Sequence, residues 1–215
     1  MALTFLNLVN LVQLRLRETQ TAAVSTTAYS TLIGAFVNDA KREVEDAWNW
    51  NALRDTIIAT TAADTRAYVL TNSRNRARVL DVFNNTENAF LTPVGSTYQT
   101  NSLIGSEATG IPTAYSFNGE YLGDLIVDFY PIPDGVYSIN FNLVIPQADL
   151  ALDADELRVP YHPVVLGAYC KALSERGEDV GGHYDRAVKA YVLALSDAIA
   201  QDEARMPFET DWVAR

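Results

Sequence analysis

Val136-Tyr137-Ser138-Ile139-Asn140-Phe141-Asn142-Leu143-Val144-Ile145 alternates apolar and polar side chains. Tyr137, Ile139, Phe141, Leu143 and Ile145 face one way, and Ser138, Asn140 and Asn142 face the other. A period of two is the signature of a half-buried strand. This strand sits inside a chain that begins and ends with helical periodicity, so the layout is a helical frame carrying a β-rich insertion.

Working outward, Leu125 to Tyr130 reads as a second strand, joined to the first through Pro131-Ile132-Pro133-Asp134-Gly135, a reversal made of turn residues. Ile57-Ile58, Tyr68-Val69-Leu70, Val79 to Phe83, Phe90-Leu91 and Tyr115-Ser116-Phe117 are further short strands. Turn signals at Asn84-Asn85 and Asn118-Gly119 separate them. Together they predict an antiparallel β-sandwich or barrel-like module over residues 53–152. Thr97 to Gly110 breaks the pattern and reads as a short helix followed by a loop.

On either side the period is helical. The first helix is predicted over Leu3 to Glu18, with Leu8, Leu11, Val12 and Leu16 on its buried face. Ser25, Thr26 or Thr27 can cap the second, from Ala28 to about Trp48. Its stripe is Leu32, Ile33, Phe36, Val37, Ala40, Val44, Ala47 and Trp48, opposite Asp39, Arg42, Glu43 and Asp46. The third helix starts at residues 160–162, because Pro163 is tolerated only in a first turn, and stops at Gly177. The fourth runs from His183 to about Ala204. The expected fold is α+β: a four-helix bundle from residues 1–52 and 153–205, the inserted β-module, and an extended tail, 206–215.

The chain has 215 residues, 48% hydrophobic and 20% charged, which is ordinary for a soluble globular protein. The single cysteine, Cys170, excludes a disulfide framework and fits a reducing compartment. Neither a signal peptide nor a spanning helix is legible, so synthesis in a cytoplasm with no membrane partner is expected. The net charge is −11; residues 51–150 carry 5 basic and 10 acidic side chains, and residues 151–215 carry 7 and 12. Such a surface repels phosphate and argues against nucleic-acid binding as the main activity.

No phosphate loop, His-Glu-x-x-His pair, paired CxxC or Gly-x-Ser-x-Gly elbow occurs, and neither a catalytic residue, a cofactor nor a metal is expected. Cys170 with His162 or His183 would be a nucleophile and base only if the thiol were exposed, and a mid-helix cysteine is ordinarily a small core residue. Asp149, Asp153, Asp155 and Glu156 lack the spacing and glycine of a calcium loop and read as a solvated linker. Arg74, Arg76 and Arg78 share one face if that segment is a strand, forming a solvated or intersubunit charge row. Trp48 and Trp50 cannot lie on one stripe: one enters a core, and the other is free for a partner. Met206, Phe208 and Trp212 in the tail have no period that assigns them to their own core, and they are expected to anchor the tail on a partner.

Several segments resemble, in order, the head-to-tail adaptor proteins of tailed bacteriophages, the group that includes tail tubular protein A. They are Leu32 to Trp50 followed by Asn51-Ala52-Leu53-Arg54, then Gly110-Ile111-Pro112-Thr113-Ala114-Tyr115, then Phe129 to Tyr137, then Val159-Pro160-Tyr161-His162-Pro163, and finally Glu175-Arg176-Gly177-Glu178-Asp179. The resemblance implies a structural virion protein of the neck. Twelve subunits usually form a ring between the portal and the tail tube or nozzle, with DNA passing through the lumen. An acidic lumen would let the duplex slide without specific binding. A tail-completion or nozzle-type protein, and a carbohydrate-binding β-module on a helical stalk, are the alternative expectations.

Overall fold

In the computed structural model, residues 3–105, 108–178 and 181–205 are described. The chain divides into two units, residues 1–52 with 147–215 and residues 53–146.

The first unit holds α1 (Phe5–Arg15) and α2 (Ala28–Ala47), then, after the second unit, two more long helices. Thr27 is the residue that caps α2: its hydroxyl accepts from Ser30 N, and Ser30 Oγ accepts from Thr27 N, a reciprocal box that satisfies two end donors. The two later helices span Tyr161–Glu175 and Gly182–Glu203. The first of them ends on Gly177 at φ +71°, with Glu178 N donating to Leu173 O and Gly177 N to Ser174 O. That pair of bonds closes the orphan carbonyls of the last turn.

In the second unit β1 (Arg54–Thr60), β2 (Ala67–Val69), β3 (Arg78–Asn84), β4 (Ala89–Phe90) and β5 (Thr92–Pro93) precede a short helix, α3 (Ser96–Gly105). β6 (Thr109–Gly110), β7 (Ala114–Tyr121), β8 (Asp124–Tyr130), β9 (Ile132–Pro133) and β10 (Ser138–Val144) follow. The later helices are therefore α4 (Tyr161–Glu175) and α5 (Gly182–Glu203). One sheet has the order β1-β10-β3-β4, a second β2-β8-β7-β5, and β6 pairs with β9.

The α+β class is correct, and two details of the expectation change. The sheets are open, with no closed barrel, and β5–β7 and β6–β9 are parallel. Both sheets contribute to one core: Phe141 and Ile139 of β10 and Val82 of β3 are buried with Tyr115, Val127 and Phe129. The Phe141 ring lies 6.1 Å from Phe129 and 6.0 Å from Tyr115, within the range of favourable aromatic pairs. The period-two stretch is thus the centre of its unit, with Tyr137, Ile139, Phe141 and Leu143 all buried.

One turn reading also changes. Asn118-Gly119 is not the reversal between β7 and β8 but a register shift between Phe117 and Glu120, with Gly119 at φ +110°. A bulge needs a residue that tolerates that φ. The reversal itself is Leu122-Gly123, at φ +51° and +85°, the sign that a two-residue hairpin requires at both positions. The expected β-module limit was residue 152; residues 147–152 group here with the helices, because Gln147 and Leu150 are bonded to α2.

Within the first unit, α4 packs on α1, α2 and α5, and α1 packs on α2. This explains why Val164, Val165, Leu166, Ala168, Cys170, Ala172 and Leu173 are all buried on one helix. Gly167 marks a close approach of α4 to α2 and α5: a Cβ there would lie 3.1 Å from Ala40 Cβ and 3.2 Å from the Tyr191 ring. Gly167→Val should therefore lower stability by about 1–3 kcal/mol through overpacking. Urea melts of the purified variant check this, and an unchanged midpoint would show that α2 and α5 yield freely.

Candidate partner-binding surfaces

Of the residues that could have carried catalysis, Cys170 is committed to packing, while His162 and His183 are exposed. Cys170 is buried against Leu173 and Ala187, and burial pushes its thiol pKa upward, away from the reactive thiolate. His183 Nε2 lies 2.9 Å from the Tyr169 hydroxyl, while His162 sits in the first turn of α4 beside Tyr161.

The acidic run is a clasp. Asp149 pairs with Arg42, and Asp153 accepts from Val24 N at 3.0 Å. Asp155 accepts from Ala151 N and Leu152 N, both at 2.8 Å, and these two bonds lower its pKa. Glu156 bridges to Thr4, and Leu157 N donates to Leu3 O. The expected linker changes in one respect: Asp149 and Glu156 are exposed, as a solvated segment requires, but residues 149–157 are also tied to the N-terminal helices and the start of the chain by backbone and side-chain bonds. Among the described residues, no group of three or more His, Cys, Asp or Glu could hold a metal ion. No described helix is long and apolar enough to cross a membrane.

A polar cluster that periodicity had not singled out lies beneath this clasp. Lys41 and Glu45, one turn apart on α2, are both 0% exposed, with Nζ to Oε1 3.1 Å apart. Lys41 Nζ also donates to Gln147 O at 2.8 Å, and Gln147 N donates to Glu45 Oε1 at 3.1 Å. Asn38 next to them exchanges two bonds with the Leu150 backbone. Lys41 lies four residues beyond Val37, on the apolar stripe, which is the signal that a charged pair at this spacing is buried.

The arginine row does not form. Arg74 and Arg76 lie in turns, and only Arg78 belongs to β3, so the three have no common strand face. Arg74 has φ +59°, its guanidinium donates to Pro146 O at 2.7 Å, and its backbone N donates to Asp124.

Trp50 is 1% exposed, and its indole N–H donates to Val44 O at 2.6 Å, closing a carbonyl near the end of α2. It is packed inside the helical unit, with Leu157, Val159 and Tyr161 lining the adjoining depression. Met206, Phe208 and Trp212 lie outside the described residues.

Large apolar side chains remain on the surface at particular places. Leu122, at the tip of the β7–β8 hairpin, is 89% exposed beside an exposed Tyr121. On α5, Val192 and Leu193 are exposed, because the helix buries only Ala187, Ala194, Ala198 and Asp202. Neighbouring exposed apolar side chains, such as Tyr121 with Leu122 and Val192 with Leu193, are the places where a partner could be bound. The sequence signal for Leu122 was an apolar residue immediately before a glycine between two strands.

A protein-family model described as SU10 adaptor protein matches residues 3–211, a span that takes in both units. No curated protein sequence matches the chain.

Proposed function

The chain belongs to the SU10 adaptor protein family of phage head-to-tail adaptors, and on that premise we propose that it forms a ring in the virion neck, joining the portal to the tail tube or nozzle. The observation that carries the reading is the continuity of the family match across both units. Two others support it: large apolar side chains are displayed at a hairpin tip and on an outer helix, and the net charge is −11. A ring around a channel requires head-to-tail contacts between copies, and an acidic lumen lets DNA pass without being held.

Imaging of the assembled particle tests this. The expected result is a ring of copies, twelve by the family's habit, around the DNA path directly below the portal. A two-fold dimer with no ring, or a position away from the neck, contradicts it.

The tail carries a separate expectation. Phe208 and Trp212 act as anchors on a neighbouring subunit or the portal, so alanine at either position should weaken attachment by about 2 kcal/mol, roughly 30-fold. Deleting residues 206–215 should leave the melting temperature of the isolated subunit unchanged and abolish attachment to the head. A clear drop in that temperature would place the tail in the subunit's own fold instead.

A further inference from the structure

The β1-β10-β3-β4 sheet has two open edges, and they match. β1 is seven residues long, pairs with β10 in unbroken register from Arg54 to Thr60, and among the described residues has no strand on its far side. A long regular edge of this kind is a template for another strand. The other edge, β4, has two residues, as many as β5 at one edge of the second sheet, while β2 at that sheet's other edge has three.

The direction of the backbone groups follows from the ladder. Ile145 N donates to Leu53 O and Thr61 N to Tyr137 O. Bonded pairs alternate along an antiparallel ladder, so Thr56, Ile58 and Thr60 turn their N–H and C=O groups outward. The outward N–H of Thr56 is taken by the Asp55 carboxylate at 2.8 Å, which leaves Ile58 and Thr60 as the usable edge. At the opposite edge Leu91 N donates to Val82 O, so Phe90, one residue earlier and opposite Phe83, likewise points its backbone groups away from β3.

The side chains agree with the backbones. Ile58 is opposite Asn140, Asn140 opposite Phe83, and Phe83 opposite Phe90, so all four stand in one row on the face away from the core. The row ends at each edge in a large exposed apolar side chain, Ile58 at 60% and Phe90 at 70%. We propose that β1 of one copy pairs with β4 of the next, with Ile58 opposite Phe90, so that the sheet continues from subunit to subunit. Because β1 and β3 run one way and β10 and β4 the other, this junction is antiparallel and keeps the same face outward in every copy. It uses two different edges, so it is heterologous, the kind of contact from which a ring is built when the rotation between copies closes. A two-fold β1–β1 pairing would leave Phe90 uncovered. This contact deepens the ring reading and rests on it.

Ile58→Cys and Phe90→Cys, placed together in the full chain, test the contact in assembled particles. A bonded antiparallel pair sets the Cα atoms about 5.5 Å apart, inside the span of roughly 4.4 to 6.8 Å that a disulfide accepts, and the native Cys170 is buried. Mild oxidation should give a non-reducing ladder of dimers, trimers and higher multimers. Mixed single variants should link Ile58→Cys only to Phe90→Cys. Efficient linking of Ile58→Cys to itself, or intact rings without a ladder, overturns the contact while leaving the ring reading standing; absence of any ring overturns both. If the double variant does not assemble, the unmodified particle decides: neighbouring Ile58 and Phe90 Cα atoms well beyond about 7 Å exclude the pairing.

Discussion

Lys41→Met should destabilise the isolated subunit by about 3–5 kcal/mol, the usual result of removing one partner from a buried ion pair. The variant keeps the length of the side chain and leaves Glu45 0% exposed without its cation. Replacing both residues by apolar ones, Lys41→Met with Glu45→Leu, removes the stranded charge and should recover part of the loss. Recovery should be incomplete, because Gln147 N and Gln147 O lose their partners on α2. Each orphaned buried backbone group costs about 1–3 kcal/mol. Urea titrations of the two variants and the parent measure all three values. A loss below about 1 kcal/mol for the single variant would mean that water or a neighbouring side chain reaches Glu45 readily. Full recovery in the double variant would show that the pair does not hold residue 147 against the helix.

Trp50→Ala should cost a further 3–5 kcal/mol or about that, typical of truncating a large buried aromatic ring. The ring is 1% exposed, and its N–H closes the Val44 carbonyl. Trp50→Phe, which keeps most of the apolar area and loses that bond, should cost only about 1–3 kcal/mol. Asn51 N beside it donates to Asp202 Oδ2 on α5, so the loss of packing should also loosen the end of α5. Thermal melts with hydrogen exchange of the α5 amides read both effects. A normal melting temperature combined with failed assembly would instead make Trp50 a partner contact.

The local elements were legible because their determinants are local. A capping pair sits three residues apart at Thr27 and Ser30, a left-handed glycine stops α4 at Gly177, and Val136 to Ile145 alternates strictly enough to mark both a strand and the face it buries. The order of those elements, helices on either side of a β-rich middle, carried the family resemblance as well. What only tertiary structure decided depends on partners far along the chain. Lys41 and Glu45 have the spacing of a surface ion pair, and they are interior because residue 147, more than a hundred positions later, returns against them. The acidic run from Asp149 to Glu156 has a solvent-loving composition, yet the carboxylates of Asp149, Asp153 and Asp155 are spent on backbone donors and Arg42. Asn118-Gly119 carries stronger turn chemistry than Leu122-Gly123, but the register of β7 against β8 makes the first a bulge and the second the reversal. Periodicity reports which side of an element is apolar; what covers that side, and which polar groups follow it into the interior, is settled when distant segments meet and every buried donor must find an acceptor.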